Sequence, residues 1–585
     1  MHAPTRRLLS LLLCAVLMTG AVMMPVSADT VEITDAAHSE VYRVSDADEL
    51  PDPDEAIADA DAYSIIVDSE VVLTVEQKDT PAVTGTSDST DYSYAVDFTI
   101  PMTNKQVYIA GLTADNVATV QQAVVNSYTG SANFDITALD FIDCEKDSIN
   151  GSGDDDLCWA AAAANLLYYS GWAAQAGFSD ADADDLFELY IDNFTDDGSD
   201  SLYAVGWFFN GIDPNALMYG TGAALRDSSS GGYLTDYAYD RVTHEASISD
   251  DFSIGLPLAF ADLRAGYAVN LNITVQQYGG TNGHAQTLWG YVINNAYPET
   301  DARHYEMVFL TDSDSDKYYT ERRDAPNILN GYALLESSGA LYYSFGGNNG
   351  YGILDDFNSL VPYSDAVEKE TSTTVTKNMK TSPDLSTTVA LYDSDGRQLT
   401  GIIPAGESFS VVAEVHNIAQ GSFYSSFTFS YSVKDSSGRT IVSDSTNYGT
   451  SSLPTGYYWT FDDMDALELS AGDYTLTVSA LPRNSSVSEA YRYNNTYTAT
   501  LSVRDTYLSG DADGDDVISV TDVTAIQRTL AKLSTRASAD LIRVRGDVTG
   551  DILDILDATA IQRYIADLDC YWRVGTTAVY DTDIL

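Results

Sequence analysis

The apolar run that begins at Cys158 constrains the fold of this chain more than any other stretch. Cys158 and Trp159 are followed by five consecutive alanines, then Asn165 and a Leu-Leu-Tyr-Tyr continuation. Alanine has the highest helix propensity, and the run follows Asp154–Asp156, a carboxylate cluster of the kind that caps helices. The sequence therefore predicts a helix with Cys158 at its N-terminus, where unpaired N–H groups and the helix dipole favour a thiolate.

A buried structural cysteine is the alternative interpretation, because free cysteines usually pack as small apolar residues. Against it stands His284, near the start of the predicted strand Gly283–Tyr291, and a second β-like run, Glu306–Thr311, that ends at Asp312. Two neighbouring antiparallel strands would place His284 beside Asp312, so that the carboxylate orients an imidazole facing Cys158. The residues therefore favour a Cys–His–Asp triad, although the aspartates before the cysteine would raise the pKa of its thiol.

Three segments of the chain match the motifs of a known peptidase family. Asp-Asp-Leu-Cys-x-Ala-Ala-x-Ala-x-Asn, Gly-His-Ala-x-Thr-Leu-Trp-Gly and Leu-Thr-Asp-Ser-Asp-Ser resemble motifs of the streptococcal immunoglobulin-degrading cysteine endopeptidases, the Mac family. Trp207–Gly211 is similar to an internal segment of that family. The resemblance covers roughly residues 130 to 365 and places the three motifs in the family's order. It implies a papain-like α+β peptidase domain, which we assign to residues 129–365.

The resemblance also implies a role for each site residue. By this analogy Cys158 is the nucleophile, His284 the general base and Asp312 the orienting carboxylate, with Asp314 in support. The family uses a lysine shortly before the cysteine at the oxyanion hole, and the matching residue here is Lys146. The implied substrate is protein.

The first 28 residues predict export. Arg6 and Arg7 precede a nearly uninterrupted apolar run, Leu8–Met24, and Val26–Ala28 forms a small-residue cleavage site, as in a secretory signal peptide. No later segment approaches the roughly 20 apolar residues that a membrane span requires. Removal of the signal leaves Cys144, Cys158 and Cys570, too few for a disulfide-built scaffold and consistent with a free reactive thiol.

The net charge narrows the classes of partner. The chain carries 87 acidic and 29 basic residues, a formal net charge of −58, which argues against nucleic acid or an anionic membrane as a partner. Residues 29–128 form an acidic N-terminal region that is either an inhibitory propeptide or an extension or accessory module, and the sequence leaves both open.

A change to β-alternation separates the region after the predicted peptidase. Residues 366–383 read as a polar linker, and residues 384–503 alternate apolar and polar residues between turns, which predicts an all-β immunoglobulin-like sandwich. Its close, Val487–Thr496, resembles the end of bacterial CARDB-type modules. A spacer is the favoured role and contact with the substrate protein the alternative.

A duplicated segment near the C-terminus predicts a small α-helical calcium module in residues 504–570, followed by a tail, 571–585. Asp522–Arg528 and Asp557–Arg563 are near copies, and an EF-hand-like loop precedes the first copy. The pair resembles type I dockerins, which attach enzymes to cohesins on a cellulosomal scaffold. The implied calcium ligands of the first loop are Asp511, Asp513, Asp515, Ser519 and Asp522. The second loop is one residue shorter, and its candidate ligands are Asp547, Asp551, Asp554 and Asp557.

The sequence thus predicts a multidomain, secreted, scaffold-borne cysteine endopeptidase. Two other classes remain open: a non-catalytic adhesion or binding protein on the same scaffold, and a papain-like amidase or acyltransferase acting on non-protein substrates. The joint presence of Cys158, His284 and Asp312 favours a catalyst.

Overall fold

The computed structural model describes residues 92–580 with internal gaps, and the backbone of four earlier strands. The gaps are 101–102, 131, 138–140, 147–153, 219, 278–279, 315–326, 346–349, 365–368, 372–374, 395, 400–401, 463, 485–486, 550–552, 567 and 569–573. The predicted signal peptide, Asp551 and Cys570 therefore lie outside the described residues.

The chain divides into two compact units. The first comprises Met1–Asn295 and Glu299–Lys369, and the second comprises Glu370–Leu585 with Ala296–Pro298. Each unit has its own arrangement of secondary structure, and the chain is multidomain as predicted.

The first unit is built on a mainly antiparallel sheet. Its strands, in chain order, are β1 (Val31–Asp35), β2 (Glu40–Val44), β3 (Ala62–Val67), β4 (Glu70–Gln77), β5 (Tyr94–Thr99), β6 (Lys105–Leu112), β7 (Phe134–Thr137), β8 (Thr243–Ser247), β9 (Ala268–Gln277), β10 (Gly280–Asn294), β11 (Tyr305–Thr311), β12 (Ile328–Ala333), β13 (Leu335–Ser337), β14 (Ala340–Ser344) and β15 (Tyr351–Leu360). The main path runs β13-β14-β15-β9-β10-β6-β5-β4-β3-β1-β2, and β11 joins β10 to β12.

Seven helices are described in this unit. They are α1 (Val117–Ser127), α2 (Cys158–Tyr169), α3 (Trp172–Gln175), α4 (Ala183–Asn193), α5 (Ser201–Asn210), α6 (Pro214–Leu217) and α7 (Phe252–Arg264). Helix α2 is buried along nearly its whole length, because its five alanines allow α4, α5 and β10 to approach closely. The alanine run that favours a helix therefore also fits it into the core.

Strand β10 pairs with three other strands of the sheet. Its first half pairs with β9, and its second half pairs with β6 and β11, all antiparallel. At Gly290 a Cβ atom would collide with the Tyr108 carbonyl of β6, so only glycine permits this close strand approach. The strand predicted from Gly283 to Tyr291 is confirmed and extends a few residues at each end.

Strands β5 and β6 belong to the same sheet as the predicted catalytic strands. Val107–Ile109 of β6 pairs with Gly290–Val292 of β10, and Tyr108 packs in one core with Leu288 and Leu310. The boundary predicted after residue 128 therefore falls inside a folded unit. Local sequence signals could not identify the partner of β6, because β10 lies far along the chain.

The second unit begins with an immunoglobulin-like β-sandwich of two five-stranded sheets. Its strands are β16 (Leu385–Asp393), β17 (Gln398–Leu399), β18 (Ile402–Pro404), β19 (Ser408–Asn417), β20 (Phe423–Asp435), β21 (Thr440–Leu453), β22 (Tyr458–Phe461), β23 (Leu467–Glu468), β24 (Gly472–Pro482) and β25 (Thr496–Arg504). One sheet holds β16, β17, β19, β22 and β23, and the other holds β18, β20, β21, β24 and β25.

The sandwich core is formed by apolar side chains that alternate with more exposed ones along strands such as β20. Phe427 and Phe429 of β20 face inward and stack on Trp459 and Phe461 of β22, with ring centroids 4.8 and 4.0 Å apart. The predicted linker is in part packed against this sandwich, because Met379 is fully buried and the Lys377 backbone donates to the Ala490 carbonyl. Its polar composition concealed this one apolar anchor.

Three helices and a two-stranded sheet complete the second unit. The helices are α8 (Val520–Leu530), α9 (Ala539–Gly546) and α10 (Ile555–Ile565), and the strands are β26 (Thr506–Leu508) and β27 (Thr577–Val579). Val523, Ile526, Ile542 and Ile561 form the helical core. The predicted C-terminal tail thus contributes a strand that pairs with the start of the module.

Candidate functional sites

Cys158 is the first residue of α2 and is partly exposed. The predicted carboxylate cap is wrong, because Leu157 occupies the N-cap position and no side chain caps this helix end. Asp154 instead accepts the Leu157 N–H through its carbonyl, and the Asp156 N–H binds the Asp196 carboxylate 2.9 Å away. The thiol therefore lies at a helix N-terminus whose dipole no capping carboxylate offsets.

His284 and Asp312 meet as the strand order predicts. Thr287 of β10 pairs with Thr311 of β11, and His284 Nε2 lies 2.7 Å from Asp312 Oδ1 just beyond that pair. The Asp314 backbone N–H donates to the same carboxylate oxygen at 3.0 Å. Because Nε2 is engaged by Asp312, Nδ1 is the ring nitrogen left to face Cys158.

The electrostatics favour a thiolate–imidazolium pair. Burial alone would raise the pKa of the Cys158 thiol, but His284, Lys146 and a hydrogen bond from the Ala285 backbone reverse it, and the net pKa is lowered. Burial would lower the pKa of His284, but the Asp312 and Cys158 charges raise it to about 10. Asp312 is held ionised, because the His284 charge outweighs burial and depresses its pKa.

Lys146 lies against this pair. Its Nζ donates to the Asp155 carbonyl at 2.7 Å and lies 3.2 Å from Asp314 Oδ1, and its side chain is only 4 % exposed. Burial would lower the pKa of Lys146, but Asp314 and Cys158 raise it overall. Asp314 therefore supports the site through Lys146 and, through its backbone, Asp312.

Two buried residues escaped sequence reasoning. Gln286 Nε2 donates to Asp312 Oδ2 at 2.6 Å, and the Tyr343 hydroxyl donates to Gln286 Oε1. A signal for Gln286 was present, since residues two apart on a strand share a face and Gln286 follows His284 at that spacing. No local signal identified Tyr343, which reaches the site from β14.

Asn165 fixes the helix against the strands around it. Its Oδ1 accepts the Cys144 backbone N–H at 3.2 Å, and its Nδ2 donates to Thr287 Oγ1 at 3.0 Å. Asn165 lies two turns after Cys158, so these bonds hold α2 in register with β10. Cys144 itself is buried and its thiol pKa is raised by burial, which makes it a poor nucleophile.

The first acidic loop gathers three carboxylates before α8. One oxygen from each of Asp511, Asp513 and Asp522 lies within 4.8 Å of the others. Asp513 Oδ1 is buried and has no hydrogen-bond partner among the described residues. Oxygen ligands of this kind suit a calcium ion, so the residues present fit the ion that the resemblance implies.

The remaining ligand candidates of this loop have structural contacts of their own. Asp515 Oδ1 accepts the Val517 N–H, and Ser519 caps α8 in a capping box with Asp522. Asp511 Oδ2 lies 3.0 Å from the Arg545 guanidinium on α9.

The second acidic loop has a different arrangement. Asp557 Oδ1 accepts hydrogen bonds from the Val548 N–H and from both the N–H and hydroxyl of Thr549. Asp554 caps α10 in a capping box with Asp557. Within the described residues, which exclude Asp551, no second group of three acidic ligands converges, and Asp547 ends α9 as its C-cap residue.

Comparisons with known proteins identify fold likeness only. No family model matches the chain, and no curated protein matches it. Part of the chain is similar to a crystal structure of a CARDB domain from Pyrococcus furiosus in complex with di-metal ions, at 16% identity and TM-score 0.15, covering 21% of this chain and 93% of that chain.

Two further solved structures match part of the chain. The C-terminal domain of wzt matches at 12% identity and TM-score 0.16, covering 21% of this chain and 77% of that chain. Bacteroides uniformis β-glucuronidase 2 matches at 11% identity and TM-score 0.16, covering 47% of this chain and 28% of that chain. At such TM-scores these likenesses carry no argument about the fold or the function of this chain.

A search of the described helices for one long and apolar enough to cross a membrane found none.

Proposed function

We propose that the first unit is a papain-like cysteine endopeptidase that hydrolyses peptide bonds in proteins. The observation that carries the proposal is the convergence of three side chains from distant parts of the chain: Cys158 at a helix N-terminus, His284 facing it, and Asp312 2.7 Å from the far side of the imidazole. This is the relation of nucleophile, base and orienting group that acyl transfer requires.

Each residue then has a defined chemical role. The Cys158 thiolate attacks the scissile carbonyl carbon, and the His284 imidazolium gives its proton to the departing amine. The resulting neutral imidazole accepts a proton from water, whose oxygen attacks the thioester and releases the acid, and the thiolate–imidazolium pair is restored. Asp312 keeps the ring oriented throughout. Lys146 adds a buried positive charge beside the thiolate, which also favours negative charge on the carbonyl oxygen.

Replacement of the nucleophile tests this proposal. The signal-free protein is incubated with a mixed proteome, and new N-termini are mapped by mass spectrometry. Cys158→Ala should lose all cleavage, and Cys144→Ala, which removes the buried thiol, should keep it. His284→Ala should be nearly as inactive, whereas Asp312→Ala should retain some activity because its role is orientation. Undiminished cleavage by Cys158→Ala would overturn the proposal.

The same assay separates the alternatives. A binding protein would cleave nothing, although its thiol would still be alkylated. An amidase or acyltransferase on non-protein substrates would give no new protein N-termini but would form an acyl-enzyme with small amides or esters. The paired charges of Cys158 and His284 favour a catalyst, because a thiol and an imidazole with shifted pKa values placed together are typical of catalytic sites.

We propose a second function for the C-terminal helices, namely calcium-dependent docking to a cohesin on an extracellular scaffold. The convergence of Asp511, Asp513 and Asp522 before a helix that is repeated later in the chain supports it. Calcium would supply positive charge to the first loop and fix its carboxylates. With the predicted signal peptide, this makes the protein an exported, cellulosome-type enzyme.

Calcium titration tests the docking proposal. Residues Asp511 and Asp547 open the two loops, and only the first lies in a three-carboxylate group. Asp511→Ala should therefore lower calcium affinity and cohesin binding more than Asp547→Ala, as measured by calorimetry. Two equally tight calcium sites would contradict the asymmetry, and no cohesin binding in saturating calcium would contradict docking.

A further inference from the structure

A chain of hydrogen bonds extends behind the orienting carboxylate. The Tyr343 hydroxyl contacts Gln286 Oε1, Gln286 Nε2 lies 2.6 Å from Asp312 Oδ2, and Asp312 Oδ1 lies 2.7 Å from His284 Nε2. Gln286 and Tyr343 are 1 % and 0 % exposed. Both side chains are therefore shielded from bulk water.

The chemistry of these groups fixes the direction of every bond. An ionised Asp312 only accepts, so Gln286 must present its NH₂ group to it. The carbonyl end of Gln286 only accepts, so Tyr343 must donate to it. With the amide reversed, two acceptors would face each other at Asp312. The tyrosine hydroxyl thus holds the amide in the one orientation that serves the carboxylate.

Packing holds Tyr343 in place. Its ring stacks on Tyr332 with centroids 4.4 Å apart and meets Phe345 edge-on at 5.4 Å. Burial raises the pKa of the Tyr343 hydroxyl, which keeps it protonated and able to donate. This chain of hydrogen bonds, which we call the relay, therefore begins at an aromatic cluster on β12 and β14 and ends at the imidazole on β10.

We propose that Gln286 and Tyr343 are positioning residues that hold the Asp312 carboxylate in line with His284. This inference rests on the proposed function, since it assigns how the same triad is oriented. Neither residue touches the reacting atoms; both act through Asp312. The other titratable groups facing the relay are Cys158 and Lys146 beside the imidazole, Asp314 beside Lys146, and Asp143 and Tyr332 around Asp312.

The pH profile of Cys158 alkylation by iodoacetamide reads out this role without a protein substrate. Gln286→Met keeps the side-chain length and removes the donor, so Asp312 holds the imidazolium less well. The thiolate then forms at higher pH and the imidazolium is lost at lower pH. The acid limb of the alkylation profile should therefore move up by about one pH unit, the effect of losing one charge-assisted hydrogen bond. Tyr343→Phe should move the same limb in the same direction by less.

Tyr332→Phe is the matched control, because it removes a hydroxyl from the ring stacked on Tyr343 and leaves the relay intact. It should keep the native profile, and melting curves should confirm that each variant is folded. A folded Gln286→Met protein with the native alkylation profile would overturn the proposal. If the native thiol itself titrates as an ordinary cysteine, the triad assignment fails as well, so the two failures are distinguishable.

Discussion

Cys158 and His284 each depend on the other for their charged form. The imidazolium lowers the pKa of the thiol against the effect of burial, and the thiolate helps to raise the pKa of His284 to about 10. Between the two pKa values the pair therefore holds one proton, and the titrations belong to the pair and not to either residue alone. Asp312 and Lys146 add one charge of each sign around it.

The first prediction follows from this pairing. Alkylation of Cys158 should become fast at a lower pH than alkylation of an ordinary cysteine, because its pKa is lowered. Peptidase activity should fall on the alkaline side as the imidazolium is lost through a pKa of about 10. In His284→Ala the acid limb should move up towards an ordinary thiol. Alkylation kinetics measure the acid limb and peptide cleavage measures the alkaline limb, and an unchanged acid limb in His284→Ala would contradict the pairing.

For single residues, the sequence indicated which side chains come together at the site better than it indicated their hydrogen-bond partners. The convergence of Cys158, His284 and Asp312 could be predicted, because residue type, strand order and helix start each constrained their positions. The capping role of Asp154–Asp156 was predicted wrongly, because a local propensity competes with hydrogen bonds to residues far along the chain, such as Asp196. Tyr343 could not be predicted, since only the sheet order brings β14 near β10.

Helix α9 places a positive charge against the first acidic loop. Arg545 lies 3.0 Å from Asp511 Oδ2, and Asp511 is fully buried. The same guanidinium contacts Tyr580 just after β27, at 2.5 Å from Nε to the hydroxyl. The Arg545 side chain thus contacts both the first acidic loop and the terminal strand pair. Local sequence signals do not indicate these contacts.

The second prediction concerns this arginine. Arg545→Gln leaves the buried Asp511 carboxylate without its cation, so the C-terminal helices should lose about 3 kcal/mol of unfolding free energy in EDTA. Saturating calcium, which supplies positive charge to the same carboxylate, should recover most of the loss. Arg543→Gln, whose exposed partner is Asp540, is the control and should change little in either condition. Chemical denaturation followed by circular dichroism provides the comparison, and equal losses with and without calcium would contradict it.

The elements that sequence predicted best were those with strong local signals. Helices α2, α8 and α10 follow from alanine content and repetition, and β20 follows from alternation. The short strand β27 and helix α9 carry no such signal. Their residues are set by tertiary partners, Tyr507 opposite Ala578 and Ile542 in the helical core.

The third prediction applies to the molecule as two units. The proposed catalytic residues all lie in the first unit and the acidic loops all lie in the second. Cys158→Ala should therefore leave the calcium-dependent melting step unchanged, and Asp511→Ala should leave the rate of peptide-bond cleavage unchanged. Calorimetry and a cleavage assay on the full-length variants measure the two properties separately. A loss of cleavage in Asp511→Ala would show that the units are energetically coupled.

The order in which the ribosome makes the strands around β10 affects when the candidate site can form. The nucleophile is translated early, whereas His284, Asp312, Gln286 and Tyr343 are translated much later. Because β10 pairs with both β6 and β11, the imidazole and its carboxylate cannot be aligned before β11 has been made. Until then Cys158 has no aligned partner on the chain. For the peptidase that we propose, the topology therefore delays activity until these three strands are all present.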